Sequence, residues 1–139
     1  DADDSWEPDK FALQLDRVGS LPAGGIVFGF VRQFHSPETG EEFRSRYHCP
    51  PEPGPGLYPG TMLLLRDDFF RIGPFDATLR AGEFLEWNDR ARSMGFAASM
   101  IETVVAHRRI HPSNYGITHK QFRADYLRVV QVIMKRKRP

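Results

Sequence analysis

The chain opens on Asp1-Ala2-Asp3-Asp4, three carboxylates within four positions. Left alone they repel one another, so a cation or a set of hydrogen-bond donors must neutralise them. Hard divalent ions such as Mg²⁺ or Mn²⁺ take oxygen ligands and share them with substrate phosphates, so a D-x-D pair just ahead of a helix suits a metal–diphosphate clamp. The same triplet also suits a helix cap, and nothing within the four residues separates the two uses. Near the far end stand His107, Arg109 and His111. On a strand, side chains alternate, so these three share one face and aim two imidazoles and a guanidinium at one place. That group can neutralise a departing diphosphate, or form an exposed basic strand end.

Both groups need elements to position them. Ser5 as a cap and Pro8 in a first turn predict a helix starting near Glu7-Pro8; Phe11, Leu13 and Leu15 are its apolar residues and it fades at Gly19. Residues 25–34 are rich in Val, Ile and Phe and read as a strand, and residues 36–40 as a turn. Residues 47–60, dense in proline and glycine, cannot be regular structure and form either a binding loop or a surface connection. A buried strand is expected over 61–65, then a brief helix over 69–72 capped by Asp67 or Asp68, and a turn at Gly73-Pro74-Phe75-Asp76. Phe84, Trp87, Ala91 and Met94 recur at helical spacing and predict a helix over 82–94, with Trp87 a core anchor. Residues 96–110 read as one or two strands, residues 112–116 as a turn, and 118–135 as a last helix with a stripe of Phe122, Tyr126, Val129, Val130 and Ile133. Alternating helices and strands make the class α/β. So few strands imply more upstream, or a partner, a second copy among them, covering an edge.

Length and composition set the limits. The 139 residues make one domain, and 40% hydrophobic with 27% charged residues is ordinary for a globular protein. A net charge of +1 gives no ground for nucleic-acid binding. The local exception, Lys135-Arg136-Lys137-Arg138, is either a solvated tail or a peripheral contact with a membrane surface or acidic partner. Cys49 is the single cysteine, followed by Pro50 and Pro51; it reads as an inert loop residue and favours a reducing, cytoplasmic setting.

Four blocks carry a family resemblance. Asp1-Ala2-Asp3-Asp4-Ser5-Trp6-Glu7-Pro8-Asp9-Lys10-Phe11, with Gln14, resembles the D-x-D segment of family 2 glycosyltransferases, where a Trp or Tyr, a Pro, a Lys and a Gln follow at this spacing. Gly60-Thr61-Met62-Leu63-Leu64-Leu65-Arg66, then Phe70, Gly73 and Phe75-Asp76, is similar to the family's strand–helix–GxFD stretch. Gly82-Glu83 with Arg90-Ala91-Arg92 and Gly95 resembles its G-E-D…R-A-x-x-x-G helix. Arg108-Arg109-Ile110-His111-Pro112-Ser113-Asn114 resembles its R-x-H-P-x-N segment. The likeness spans residues 1 to about 116, in register and in order.

The resemblance implies a GT-A fold and inverting transfer of a sugar from a nucleoside diphosphate, UDP above all, to an unknown acceptor. It implies Asp1 and Asp3 at the nucleotide and metal, with Asp4, Trp6 and Arg109 beside them. It also implies Mn²⁺ or Mg²⁺ held by Asp3 and His111. Two departures qualify it. The family's base, the Asp of the E-D pair, is replaced by Phe84, which cannot take a proton; Glu83 is the first substitute and Glu86 the second, unless Glu86 simply pairs with Arg90. This leaves open an inactive nucleotide- or sugar-binding scaffold. The strands and helices that bind the nucleoside in the family should precede the acidic motif, so the chain is expected to be processed or a piece of a longer protein.

Overall fold

The computed structural model describes residues 3–21 and 24–136. In chain order these form β1 (Ser5–Trp6), α1 (Lys10–Gly19), β2 (Gly25–His35), α2 (Glu41–Arg46), β3 (Gly54–Pro55), a 3₁₀ turn (Pro59–Thr61), α3 (Arg66–Ile72), α4 (Glu83–Ser93), β4 (Ala97–Ile110), α5 (Tyr115–Thr118), a second 3₁₀ turn (Lys120–Phe122) and α6 (Arg123–Arg136). The α/β class is as expected.

One mixed sheet runs in the order β1-β4-β2-β3. Its centre is the parallel pair β2 and β4, with β1 antiparallel on the outer side of β4 and β3 antiparallel on β2. β4 spans 14 residues against 11 in β2, and the surplus is absorbed by register shifts on either side of Phe30. Bulged Val105 lies directly over Gly29; a β-carbon there would stand 2.6 Å from the valine methyls, so the position requires glycine. Pro55 lacks an N–H and is tolerated because β3 is an edge strand.

The core lies between the sheet and α3–α4: Ile26, Phe28, Ile72, Trp87, Ala91 and Phe96 are buried together, with Met62, Leu64, Phe69, Phe75, Phe84 and Met100 packed around them. Trp87 is its anchor, as its spacing predicted: fully buried, with its indole N–H donated to Gly73 O at 2.8 Å. Arg90, one turn later, donates to Ile72 O (2.6 Å) and Pro74 O (2.8 Å), clamping the turn before Phe75.

Several predicted elements move. α1 begins at Lys10, not near Glu7, because Ser5 is taken into β1; Asp9 sits at its start without a side-chain cap bond. Its buried face is Lys10, Gln14 and Val18, whereas Phe11 (61%), Leu13 (37%) and Leu15 (47%) are exposed. Polar residues face inward because carbonyls there need donors. Gln14 Nε2 donates to Val27 O (2.9 Å) and Thr61 O (2.7 Å), and Lys10 Nζ donates to Gln14 Oε1 (2.6 Å) and Met62 O (3.2 Å). The stretch 61–65 is not a strand; one antiparallel bridge, Val27 to Leu63, is all that forms. The helix expected over 69–72 starts at Arg66 with Leu65 before it, so neither Asp67 nor Asp68 is its cap. Residues 47–60 hold β3, and α2 forms where no helix was predicted. The final helix is broken at His119 into α5, a 3₁₀ turn and α6. Met94, at the end of its stripe, is half exposed. No helix among the described residues is long and apolar enough to cross a membrane. Lys137 and Arg138, half of the basic tail, lie outside the described residues.

Replacing Gln14 by Leu keeps the volume but leaves the Thr61 carbonyl without its donor and the Lys10 ammonium with Met62 O alone. Each buried group so orphaned costs about 1–3 kcal/mol. Gln14→Leu is expected to lower unfolding stability by about 3 kcal/mol in urea titrations, whereas Leu15→Gln on the exposed face stays within about 0.5 kcal/mol of the parent.

Candidate functional site

The site is built where the start of the chain meets the end of β4. Pairing of Ser5 with His107 and Trp6 with Ala106 lays the acidic segment against the basic one. Asp3 Oδ2 then lies 2.5 Å from His111 Nε2, across 108 positions of sequence. Glu7 Oε1 lies 2.5 Å from His107 Nε2. Between them Asp4 Oδ1 accepts the backbone N–H of Arg109 at 3.1 Å. The His111 bond holds the Asp3 carboxyl below the usual carboxylate range, so it stays ionised. His111 is steadied from behind: its N–H donates to Asn114 Oδ1 (2.7 Å), and Asn114 Nδ2 donates to Arg109 O (3.1 Å). Asn114 of the fourth sequence block is therefore a buried brace for the histidine.

His107 and Arg109 of β4 and His111 just after it do not converge on one point. Each imidazole finds its own carboxylate, and Arg109 turns to β2's end, donating from Nε to Ser36 Oγ at 2.6 Å and from Nη2 to Glu38 at 3.2 Å. Arg109 ties the end of the sheet together and is already engaged. Trp6 is 64% exposed, with Lys10 Nζ 4.8 Å from its ring centroid, so one indole face is open to a ligand. Asp1 lies outside the described residues.

Next to Asp4, three buried polar atoms lack a hydrogen-bond partner among the described residues: Asp4 Oδ2, the Tyr58 hydroxyl and Arg108 Nε. Tyr58 links them. The Arg108 guanidinium lies over its ring at 5.6 Å. Burial, reinforced by the Asp4 charge and partly offset by Arg108, pushes the phenol up to about 12. It is thus a neutral O–H donor at working pH. Its place is set by Thr61, whose buried hydroxyl reaches Gly56 O (2.6 Å) and Tyr58 O (3.0 Å). Asp68 Oδ2 and Asn88 Oδ1 also lack a partner elsewhere among the described residues, so it is the grouping of three at one ring that marks a candidate ligand position.

Tyr58 and Arg108 also line a cleft of about 770 Å³, together with Phe75, Arg80, Glu83 and Tyr115. Sequence reasoning missed Tyr58, Arg80, Arg108 and Tyr115. The available signals were the Pro/Gly-rich loop holding Tyr58, and the alternation that turns Arg108 away from Arg109.

Of the two candidate bases, Glu83 lines this cleft and Glu86 does not. Gly82 precedes α4 at φ 86°, a left-handed conformation that favours glycine, and brings Glu83 into the exposed first turn. Glu86 faces a different hollow and accepts from Arg90 at 3.2 Å, an i,i+4 pair. Phe84 packs inward, edge-on to Phe28 and stacked with Trp87, so a carboxylate there would be buried in the core. Cys49 is partly buried, and burial raises its thiol away from the thiolate.

Among the described residues no group of three His, Cys, Asp or Glu side chains gathers to hold a metal. The oxygen and nitrogen of Asp3 and His111 form a two-ligand set. Mg²⁺ commonly keeps several waters and takes one or two carboxylates plus substrate phosphates, so of the two side chains Asp3 matches that oxygen chemistry.

A spectrophotometric titration at the phenolate band checks the Tyr58 environment. One of the four tyrosines should ionise near pH 12, well above an ordinary phenol, and Tyr58→Phe should remove that component. The sign for stability follows: with the folded pKa raised, stability present below about pH 10 falls as pH climbs towards 12, and falls less in Tyr58→Phe. Comparisons with protein-family models, curated proteins and solved structures give no significant match, so the likeness to family 2 glycosyltransferases rests on the four sequence blocks alone.

Proposed function

We propose that this chain is the acceptor-side part of a GT-A-like glycosyltransferase, transferring a sugar with inversion from a nucleoside diphosphate, UDP foremost. The observation that supports this reading is the 2.5 Å approach of Asp3 to His111, two residues 108 positions apart. They occupy the two places that the family resemblance assigns to the metal–diphosphate end. A cleft containing a carboxylate, Glu83, is lined by Tyr58 and Arg108, and the Asp4 charge acts on Tyr58.

In this scheme Asp3 and His111 hold Mn²⁺ or Mg²⁺, which supplies charge neutralisation for the departing diphosphate. Asp4 and the neutral Tyr58 hydroxyl stand next to that end, and the exposed face of Trp6 offers a surface for the sugar or nucleotide. The acceptor hydroxyl lies in the cleft. Its oxygen attacks the anomeric carbon, its proton passes to the Glu83 carboxylate, and the bond from that carbon to the diphosphate oxygen breaks with the electron pair leaving on the nucleotide. Attack opposite the leaving group inverts the configuration. Phe84 favours a second reading, a nucleotide- or sugar-binding scaffold without transfer, because the family's base position is filled by a core side chain.

Isothermal titration tests the first step. UDP is expected to bind in Mn²⁺ and at least about tenfold more weakly in chelator; Asp3→Asn, which keeps the shape of the side chain, should show the chelator affinity even in Mn²⁺. Asp3→Asn binding UDP as tightly as the parent would sink the proposal. Turnover of UDP-sugars separates the two readings. Glu83→Gln should reduce kcat by about 10²–10⁴, in line with loss of a general base, without weakening UDP. Glu86→Gln should leave kcat within about twofold. No turnover by the parent on any UDP-sugar favours the scaffold.

A further inference from the structure

The cleft contains more positive charge than the transfer chemistry uses. Arg80 precedes α4 and Arg108 belongs to β4, and both line the same space. Neither makes an ion pair among the described residues. Of the carboxylates beside them, Asp76 Oδ1 accepts from the N–H and hydroxyl of Thr78 at 2.9 and 2.6 Å, and Glu83 is the base. Each guanidinium is held by an aromatic ring instead: Arg108 over Tyr58 at 5.6 Å and Arg80 over Phe122 at 5.2 Å. Ring stacking fixes the planar fork while leaving its donors free. Arg108 Nε is buried with no hydrogen-bond partner among the described residues. A buried guanidinium nitrogen without a hydrogen-bond partner is costly, and an arriving anion recovers that cost.

From this we infer that the acceptor is an anionic saccharide, its carboxylate or phosphate bound by Arg108 and Arg80 and its ring resting on Tyr58, Phe75 and Tyr115. The assignment rests on reading the cleft as the acceptor side of the transferase. Arg is the side chain suited to such a group, since its fork meets a carboxylate or phosphate through two parallel N–H···O bonds. Aromatic walls with polar edges match a sugar, apolar on its C–H face and polar at its rim. A neutral acceptor would leave both guanidiniums without an ionic partner in the cleft, Arg108 half-buried and Arg80 at its exposed edge.

Titrations of the full chain in the absence of metal and nucleotide test this, using methyl β-D-glucuronide, glucose 6-phosphate, methyl β-D-glucoside and inorganic phosphate. One or both anionic sugars should bind about tenfold or more tightly than the glucoside, as expected for charge-assisted hydrogen bonds. The tighter of the two identifies carboxylate or phosphate as the recognised group. Arg108→Met and Arg80→Gln should each erase most of that preference. Equal binding of the glucoside, a preference that survives both substitutions, or binding of no sugar at millimolar concentration would overturn the inference. So would inorganic phosphate binding as tightly as the sugars, or UDP competing with the glucuronide. Should Arg108→Met melt early, Arg80→Gln and the salt dependence of glucuronide binding decide the matter, and no loss in either counts against it. Because these titrations contain no donor or metal, their outcome is separate from that of the UDP titration. Charge preference without UDP binding leaves a saccharide-binding domain and no transferase. UDP binding without charge preference leaves a transferase with a neutral acceptor.

Discussion

Closure of the chain's beginning onto the end of β4 is the constraint on which the site depends. The backbone contribution is small, because β1 is two residues long and pairs at two positions. A contact spanning more than a hundred residues carries a large closure entropy, and two ladder pairs do little to offset it. The side chains complete the closure. Asp3 to His111, Asp4 to the Arg109 N–H and Glu7 to His107 follow one another along the seam, each with an ionised or ionisable partner. Such bonds are shorter and stronger than neutral ones. The acidic segment is therefore at once the fastening and the candidate ligand set, so loss of one of its carboxylates affects docking as well as chemistry.

A second set of contacts carries position from the core to the cleft, and all of it runs from side chain to backbone. Gln14 holds Thr61 through its carbonyl, Thr61 holds the Gly56–Tyr58 turn, and Tyr58 stands at the mouth of the cleft. On the other wall Arg90 and Trp87 hold the carbonyls of Ile72, Gly73 and Pro74, which fixes Phe75 and Asp76. These segments are loops with few backbone partners of their own, so donors must come from nearby helices. Lys10, Gln14 and Arg90, which stand in the blocks that resemble the glycosyltransferase family, are thus explained by positioning and need no direct part in chemistry.

Elements whose apolar residues keep one period were legible in the sequence. β2 reads as a continuous buried strand, and α4 reads from the recurrence that ends in Trp87 and Ala91. The meeting of Asp3 with His111 was legible only through the family likeness, since no local pattern links residues so far apart. What misled is also instructive. Phe11, Leu13 and Leu15 suggested the inner side of α1, yet the inner side is Lys10, Gln14 and Val18, because the loop carbonyls of Thr61 and Met62 below the helix take side-chain donors there. The run Met62-Leu63-Leu64-Leu65 has strand composition but bridges at a single residue; Met62 and Leu64 pack on the core from an irregular backbone. The cleft was hidden because its lining comes from five separate stretches, and no spacing rule connects Tyr58 with Arg80, Arg108 or Tyr115.

Satisfaction of hydrogen bonds separates the residues that hold this structure from those left for a ligand. His107, Arg109 and Glu86 are all of a type suited to chemistry, yet each has a partner that completes it: Glu7, the Ser36–Glu38 corner and Arg90. Tyr58, Asp4 Oδ2 and Arg108 Nε are buried and incomplete, and Glu83 is exposed in the same cleft. A folded chain tolerates few unsatisfied buried groups, and where local rules are broken without compensation, function is the usual cause. Other such atoms, Asp68 Oδ2 and Asn88 Oδ1, lie elsewhere among the described residues, but these three gather at one phenol ring that lines the cleft. A scaffold selected for stability alone would gain by replacing Tyr58 with Phe or Arg108 with an apolar residue. The presence of both in one cleft is the physical argument for a ligand there.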